Sequence, residues 1–176
     1  MTKLMKALMF AFIAPTLSVV SLAAQANPEK PKFTISIRAD NPGVISGSDV
    51  DVWMTTTNIS DEVIRVQFGY RGNMPDGFYY DIRDEQGAEL AKTVYNDIRP
   101  SRDGGSTRPG YLEPGKSTEA RARVSDVYPL DRPGKYTIRV WRRAANVLDD
   151  SESNRVYSNT ITITVVAPPA SASPPQ

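Results

Sequence analysis

The chain of 176 residues contains no cysteine and no histidine. Without them it cannot form a disulfide, a Ser-His-Asp triad, a cysteine nucleophile, a zinc site with histidine or cysteine ligands, or a haem site with an axial histidine. We find no motif for catalysis, so we expect a protein that is not an enzyme, with no catalytic residue, no metal site and no cofactor. With 40% hydrophobic and 23% charged residues, the composition is otherwise that of one globular domain.

The N-terminus has the pattern of a secretory signal peptide, which we assign to residues 1–26. Lys3 and Lys6 supply the positive region, an apolar run extends from Leu8 to Val20, and Ala24-Gln25-Ala26 is a small-x-small cleavage site. The apolar run is short for a membrane span, which takes roughly 20 residues, and an uncleaved anchor is the alternative interpretation. We therefore expect a periplasmic or secreted protein with no membrane span in the mature chain.

Net charge argues against one class of partner. Loss of Lys3 and Lys6 with the signal would leave 19 basic and 20 acidic residues, a net charge of −1. A near-neutral chain carries no general attraction for the phosphates of nucleic acid. The partner that we expect is therefore an unknown protein or cell-envelope component, and not nucleic acid.

Short runs of alternating apolar and polar residues, separated by turn residues, predict an all-β protein. A lead-in covers residues 27–31, the alternating runs fill 32–166, and a Pro/Ala/Ser-rich tail, which we expect to be disordered, covers 167–176. The predicted strands lie at residues 33–38, 50–54, 63–68, 78–83, 89–95, 116–124, 134–143 and 156–166. They predict a single immunoglobulin-like antiparallel β-sandwich of seven to nine strands.

The sequence Asp-Arg-Pro-Gly-Lys-Tyr-Thr-Ile at residues 131–138 resembles the Asp-x-Gly-x-Tyr-x-Cys signature of immunoglobulin-like domains. It has one extra residue, and Ile138 stands where the cysteine would be. The resemblance implies that Tyr136, two residues after Gly134, is the corner tyrosine, with a buried ring and a hydroxyl bonded to backbone. It also implies that Ile138 contributes apolar packing between the sheets in place of the disulfide.

A wider set of turn motifs resembles the BsuPI-type intracellular proteinase inhibitor domain. The set runs in order through Asn58-x-Ser-Asp, Asp84-x-x-Gly, Leu112-Glu-Pro-Gly and Pro133-Gly-Lys-Tyr, and it covers about 85 residues. The resemblance implies the sandwich fold and, as an alternative function, proteinase inhibition by loops that enter a protease cleft. It points to no individual inhibitory residue, and the export signal departs from the intracellular location in the family's name.

The candidate binding segment is 96–111, NDIRPSRDGGSTRPGY, which is long for a sandwich connection. It combines Arg99, Arg102 and Arg108 with Tyr111, and arginine and tyrosine are common in binding hot spots. Guanidinium forks also suit carboxylates and phosphates. A solvated insertion without function is the alternative. We therefore expect an exported, non-enzymatic interaction module that presents loops to its partner, with these four residues as the contacts.

Two further features leave their interpretation open. By alternation, Trp53 and Trp141 fall on the polar faces of their strands, where they either cover the sandwich or, with Tyr111, form the binding face of a carbohydrate-binding module. The oxygen-rich segment 149–154 could bind calcium, but it lacks the Asp-x-Asp-x-Asp-Gly spacing. We expect a solvated acidic loop there.

Overall fold

The structure is a computed structural model that describes residues 30–71, 74–93, 108–144 and 151–170. The predicted signal peptide and residues 94–107 lie outside the described residues, as do most of the predicted lead-in and the end of the tail. The strands of the described part are β1 (Phe33–Ala39), β2 (Gly43–Ile45), β3 (Asp51–Asn58), β4 (Ile64–Phe68), β5 (Tyr70–Arg71), β6 (Met74–Pro75), β7 (Tyr79–Arg83), β8 (Arg108–Leu112), β9 (Ser117–Arg123), β10 (Gly134–Arg143), β11 (Arg155–Tyr157) and β12 (Ile161–Val166), with short 3-10 helices at Val124–Asp126 and Glu152–Asn154. Within these ranges, no helix is long and apolar enough to cross a membrane.

Two sheets form an immunoglobulin-like sandwich. In the three-stranded sheet, β3 lies between β1 and β9, and both pairings are antiparallel. In the five-stranded sheet, β10 is central and pairs with β7 along one edge. Along its other edge, the first half of β10 pairs with β12 and its end pairs with β11. Strand β2 pairs with the outer edge of β12 in parallel. The pairs β4–β8 and β5–β6 complete the fold.

The core lies between the two sheets because side chains alternate across each strand. Val52 and Met54 of β3 are fully buried, as are Ile82 of β7, Ile138 of β10 and Ile163 of β12. The alternating pattern that predicts these strands therefore also gives the right inward faces. Since the chain has no cysteine, these apolar contacts join the sheets without a disulfide.

The all-β prediction is confirmed, but several strand bounds and the strand number are wrong. No strand covers 89–93: Glu89 makes one isolated bridge to Arg83, and the chain then turns away so that Thr93 N donates to Val127 O at 2.8 Å. Residues 108–111, expected in a loop, lie in β8 and pair with β4. Strands as short as β2, β5 and β6 raise the strand number above the predicted seven to nine.

The predicted last strand is interrupted at 158–160, between β11 and β12. The interruption lets the Asn159 side chain reach the edge of β1 in the other sheet. Its Oδ1 accepts from Ile37 N at 2.8 Å, and its Nδ2 donates to Ile37 O at 3.0 Å. One carboxamide thus satisfies the edge backbone groups of Ile37 as a neighbouring strand would.

Tyr136 lies on the inner face of β10, where it is 6% exposed. Its hydroxyl donates to the carbonyl of Arg132 at 2.9 Å, which is the contact that the sequence resemblance implies for a corner tyrosine. Gly134 opens the strand with φ of +157°, and open space surrounds the position of a Cβ. Any requirement for glycine there is therefore conformational rather than steric.

Buried tyrosines predict alkaline sensitivity. Burial raises the pKa of Tyr128 to about 12 and also raises the pKa of Tyr80 and Tyr136. As the pH rises past about 10, the tyrosines of the unfolded chain lose protons while these three keep theirs, so the unfolded state gains stability relative to the folded state. We expect the free energy of unfolding to be unaffected by these groups below about pH 9 and to fall between about pH 10 and 12.

Thermal melts combined with phenolate absorbance across this range measure the effect. Tyr128→Phe should flatten the alkaline decline, whereas Tyr111→Phe, at an exposed position, should leave it unchanged. Equal declines in both variants would show that Tyr128 titrates like a solvated phenol.

Candidate binding surface

An aromatic row crosses the outer face of the five-stranded sheet. The strand register places Trp141 of β10 opposite Tyr79 of β7 on one side and opposite Tyr157 of β11 on the other. The rings of Tyr79 and Trp141 are stacked, with centroids 4.0 Å apart and planes inclined by 8°. The centroids of Trp141 and Tyr157 are 6.4 Å apart and the planes inclined by 51°.

Three arginines lie against these rings. The guanidinium carbon of Arg155 is 4.3 Å from the Trp141 centroid, and that of Arg139 is 4.3 Å from the Tyr157 centroid. That of Arg143 is 5.7 Å from the Tyr79 centroid. The three guanidinium–ring distances fall in the range of cation–π interactions, and both ring pairs are in aromatic contact. We call this set the aromatic–arginine surface: Tyr79, Arg139, Trp141, Arg143, Arg155 and Tyr157.

Both faces of the Trp141 ring are covered. Tyr79 stacks in parallel at 4.0 Å, and a guanidinium at 4.3 Å can then approach only from the opposite face. The rings of Tyr79 and Trp141 therefore lie face to face across the two strands. This packing holds the side chains in place before any partner arrives, which lowers the entropy cost of binding.

The strands of the five-stranded sheet turn more basic than acidic residues outward. Alternation along its strands turns five basic residues and one acidic residue outward. The basic residues are Arg83, Lys135, Arg139, Arg143 and Arg155, and the acidic residue is Asp81. Asp81 accepts from Arg83 at 2.8 Å and from Arg139 at 3.1 Å. Glu152, just before β11, accepts from the Tyr157 hydroxyl at 3.4 Å, so acidic side chains accompany the arginines on this face.

The outer face of the three-stranded sheet carries a tryptophan too, but its charges are balanced. Trp53 donates its indole N–H to Asp40 at 2.7 Å, and the Arg38 guanidinium lies 5.0 Å from its ring centroid. Arg121 bonds Asp51 at 2.7 Å, and Arg123 pairs with Asp49 at 3.1 Å. Exposed pairs such as these contribute little stability, but they neutralise this face.

The predicted binding segment is only partly described. Arg99 and Arg102 lie outside the described residues. Arg108 and Tyr111 lie in β8, where Tyr111 pairs with Arg65 of β4 and is 73% exposed. Neither lies on a strand that carries the aromatic row. What the structure brings together is instead Trp141, which the sequence singled out, with two tyrosines that it did not.

Arg142 is the one buried charged side chain among the described residues. It lies on the inner face of β10, with its guanidinium 4.5 Å from the Phe78 ring centroid and its Nη2 bonded to Gln67 O at 3.4 Å. Burial lowers its pKa, against the opposing effect of Asp76. A Cβ on Gly77 would lie 3.0 Å from Nη2, so Arg142 packs closely against Gln67, Gly77 and Phe78. Within the ranges that the structure describes, no group of three or more acidic residues is placed to bind a metal ion.

Comparisons with known proteins supply a fold likeness and no family. No protein-family model matches the sequence, and no curated protein sequence matches it. Among solved structures, the chain is similar to a CARDB domain from Pyrococcus furiosus, determined in complex with di-metal ions, at a TM-score of 0.41 and 13% identity over 78% of this chain and 96% of that chain.

Two further solved structures are similar. The C-terminal domain of wzt gives a TM-score of 0.46 and 12% identity over 78% of this chain and 75% of that chain. The yjhA protein from Bacillus subtilis gives 0.35 and 12% over 77% of this chain and 93% of that chain. At these TM-scores the likenesses carry no argument about function, and the chain is described by its own strand order, as an immunoglobulin-like β-sandwich.

Proposed function

We propose that this protein is an exported, non-enzymatic binding module and that the aromatic–arginine surface is where it binds a partner protein. The observation that carries the proposal is the register of β7, β10 and β11, which sets Tyr79, Trp141 and Tyr157 in one row under three guanidinium groups. Tryptophan, tyrosine and arginine are the residue types most enriched in the hot spots of protein interfaces.

The surface is also rigid. Its residues project from paired strands rather than from loops, and β10 is hydrogen-bonded on both edges. A rigid, preorganised patch loses little conformational freedom on binding. These properties favour the sheet face as the main contact, with exposed Tyr111 in β8 as a second point of contact.

Export rests on the signal pattern of residues 1–26. The proposed location is periplasmic or secreted. Proteinase inhibition remains a prediction based on the turn motifs, since no described loop is identified as inhibitory. Stacking of a sugar ring on Trp141 is disfavoured by the packing, because sugar rings stack on bare aromatic faces and both faces of Trp141 are covered.

The test compares the two tryptophans. Mature protein carrying Trp141→Ala should no longer capture its partners from an envelope extract of its own host. We expect the substitution to weaken binding by about 2–4 kcal/mol, which is at least about 30-fold in Kd. Trp53→Ala is the matched control, since it removes a tryptophan with arginine neighbours from the opposite sheet.

Thermal melts and quantitative mass spectrometry of the captured proteins provide the readout. The comparison is valid only if both variants are folded, as shown by a cooperative thermal transition. Retention of every partner by folded Trp141→Ala would contradict the proposed surface.

A further inference from the structure

We infer that Asp81 is a positioning residue of the aromatic–arginine surface. It holds the Arg139 guanidinium on the ring of Tyr157 and thereby fixes one end of the aromatic row. The inference rests on the proposed function, because it concerns how the same surface is preorganised for its partner. Asp81 and Arg139 are opposite each other in the register of β7 and β10. The role requires no free donor on any arginine of the surface.

The carboxylate of Asp81 is shared between two arginines. Its Oδ1 accepts from Arg83 Nε at 2.8 Å, and its Oδ2 accepts from Arg139 Nη2 at 3.1 Å. The Asp81 side chain is only 17% exposed, so these charge-assisted bonds are partly shielded from water. Arg83 also donates from Nη1 to Gly87 O at 3.2 Å. Asp81 is therefore itself held, through Arg83, against the turn that follows β7.

The position of the Arg139 guanidinium depends on this carboxylate. Within the described ranges, the guanidinium has one ion pair, with Asp81, and one ring contact, at 4.3 Å from the Tyr157 centroid. All the donors of a guanidinium lie in one plane, so a carboxylate bound at its edge restricts the rotation of that plane. Without Asp81, the Arg139 side chain would regain the rotamer freedom of an exposed arginine. It would also lie near Arg83 with no carboxylate between the two charges.

The Tyr157 ring needs this support more than the other rings do. It projects from β11, a strand of three residues at the end of the five-stranded sheet. The Tyr157 hydroxyl donates to Glu152 Oε1 at 3.4 Å and accepts from Arg155 Nη1 at 3.5 Å, and both distances are longer than those of typical hydrogen bonds. The stack with Arg139 at 4.3 Å therefore does most to keep the ring in one orientation, which lowers the entropy cost of binding.

The opposite sheet supplies a matched control. Asp51 has a side chain that is 11% exposed, accepts from Arg121 Nη2 at 2.7 Å and lies 3.7 Å from Arg123 Nε. The Arg121 guanidinium lies 5.7 Å from the Trp53 centroid. Asp51→Ala thus removes the same kind of shared carboxylate from beside the other tryptophan, on a face that we do not propose to bind.

Nuclear magnetic resonance of the mature protein tests the contact itself. In the unmodified chain, the ring current of Tyr157 should displace the side-chain protons of Arg139 to higher field, and the guanidinium should rotate slowly. Asp81→Ala should reduce the displacement and speed the rotation, whereas Asp51→Ala should change neither. Asp81→Asn keeps one acceptor oxygen and removes the charge, so it should retain part of the displacement. It also serves as the test variant if Asp81→Ala lacks a cooperative thermal transition.

Binding measurements test the role in recognition. The probe is the partner that the unmodified chain captures and Trp141→Ala does not. Folded Asp81→Ala should bind this partner with a Kd about threefold to tenfold higher, as expected when one side chain must be ordered on binding. Asp51→Ala should bind it like the unmodified chain.

The contrary outcomes are distinct. Unchanged Arg139 signals in folded Asp81→Ala would overturn the positioning contact, whatever the partner does. A mobile Arg139 in Asp81→Ala together with an unchanged Kd would refute the role of Asp81 while the proposed function stands. Equal weakening of binding by Asp51→Ala would show that the effect is not specific to this surface. Capture of every partner by Trp141→Ala would contradict the proposed function, and with it any role of Asp81 in binding.

Discussion

Replacement of Asn58 by alanine is expected to lower the free energy of unfolding by about 3–5 kcal/mol. Asn58 ends β3 and is 1% exposed. Its Nδ2 donates to Glu62 O at 2.7 Å and to Leu112 O at 2.8 Å, and its Oδ1 accepts from Ser60 N at 2.9 Å and Ser60 Oγ at 2.8 Å. Alanine would leave these groups without donors or acceptors, at about 1–3 kcal/mol for each buried one.

The size of the effect follows from what Asn58 joins. The Asn58 Nδ2 group donates one hydrogen to the turn that leads to β4. It donates the other to the carbonyl of the last residue of β8. The backbone of Asn58 adds bonds to Lys116 O and from Gly115 N, both at 3.0 Å. A single residue therefore fixes both connections between the β3–β9 and β4–β8 pairs. Asn58→Asp should be at least as damaging, because a carboxylate oxygen would face two carbonyls.

Chemical denaturation of the variants measures this effect. Asn41→Ala is the matched control, because Asn41 makes one exposed bond, from Gly43 N at 3.1 Å, and should cost about 1 kcal/mol or less. Equal losses at Asn41 and Asn58 would show that the carboxamide of Asn58 does not join the two loops.

Substitution of Tyr136 by alanine should cost about 3–5 kcal/mol, on the scale of large aromatic truncations in protein cores. The ring is buried in β10, and its hydroxyl is bonded to Arg132 O. Tyr136→Phe keeps the ring and removes only this bond, so its expected cost is about 0.5–1.5 kcal/mol. The difference between the two variants separates the packing of the ring from the hydrogen bond of the corner.

Thermal melts measure these costs, and Tyr111→Ala is the control. Tyr111 is exposed in β8, so its loss should change the free energy of unfolding by less than about 0.5 kcal/mol. If Tyr136→Ala has the same melting temperature as the unmodified chain, the ring is not part of the core. The register of β10 against β12 would then have to be shifted.

Sequence patterns predict the long strands well and the short ones poorly. Strands β1, β3 and β10 alternate over seven or more residues, which is enough to fix their inward faces. Sequence patterns do not predict β8, because Arg-Pro-Gly-Tyr-Leu has the composition of a turn. It forms a strand because it lies beside β4, where Pro109 pairs with Gln67, and proline is tolerated at sheet edges. The three residues of β2 are too few to show a period.

The candidate surface could be predicted only in part, because it depends on the register between strands. Alternation places Trp141 on an outer face, and the structure confirms that position. That Tyr79 and Tyr157 stand beside it depends on the register between strands far apart in the sequence. No local pattern encodes that register. Likewise, the residue types of Asn58-Ile59-Ser60-Asp61 predict a turn, but not that the Asn58 carboxamide also binds the carbonyl of Leu112.

The parallel pairing of β2 with β12 has a consequence for the timing of folding. Thr164 N donates to Pro42 O at 2.7 Å, Ser46 N donates to Val166 O at 2.8 Å, and Asn159 bonds Ile37. Strands near the start of the domain are thus closed by β12 and by Asn159, which lies just before it, and such long-range contacts form slowly. A chain that emerges N-terminus first from a secretion channel would keep the edges of β1 and β2 open until β12 has followed. The proposed export and this topology are therefore compatible: the fold cannot close while the chain is still in transit.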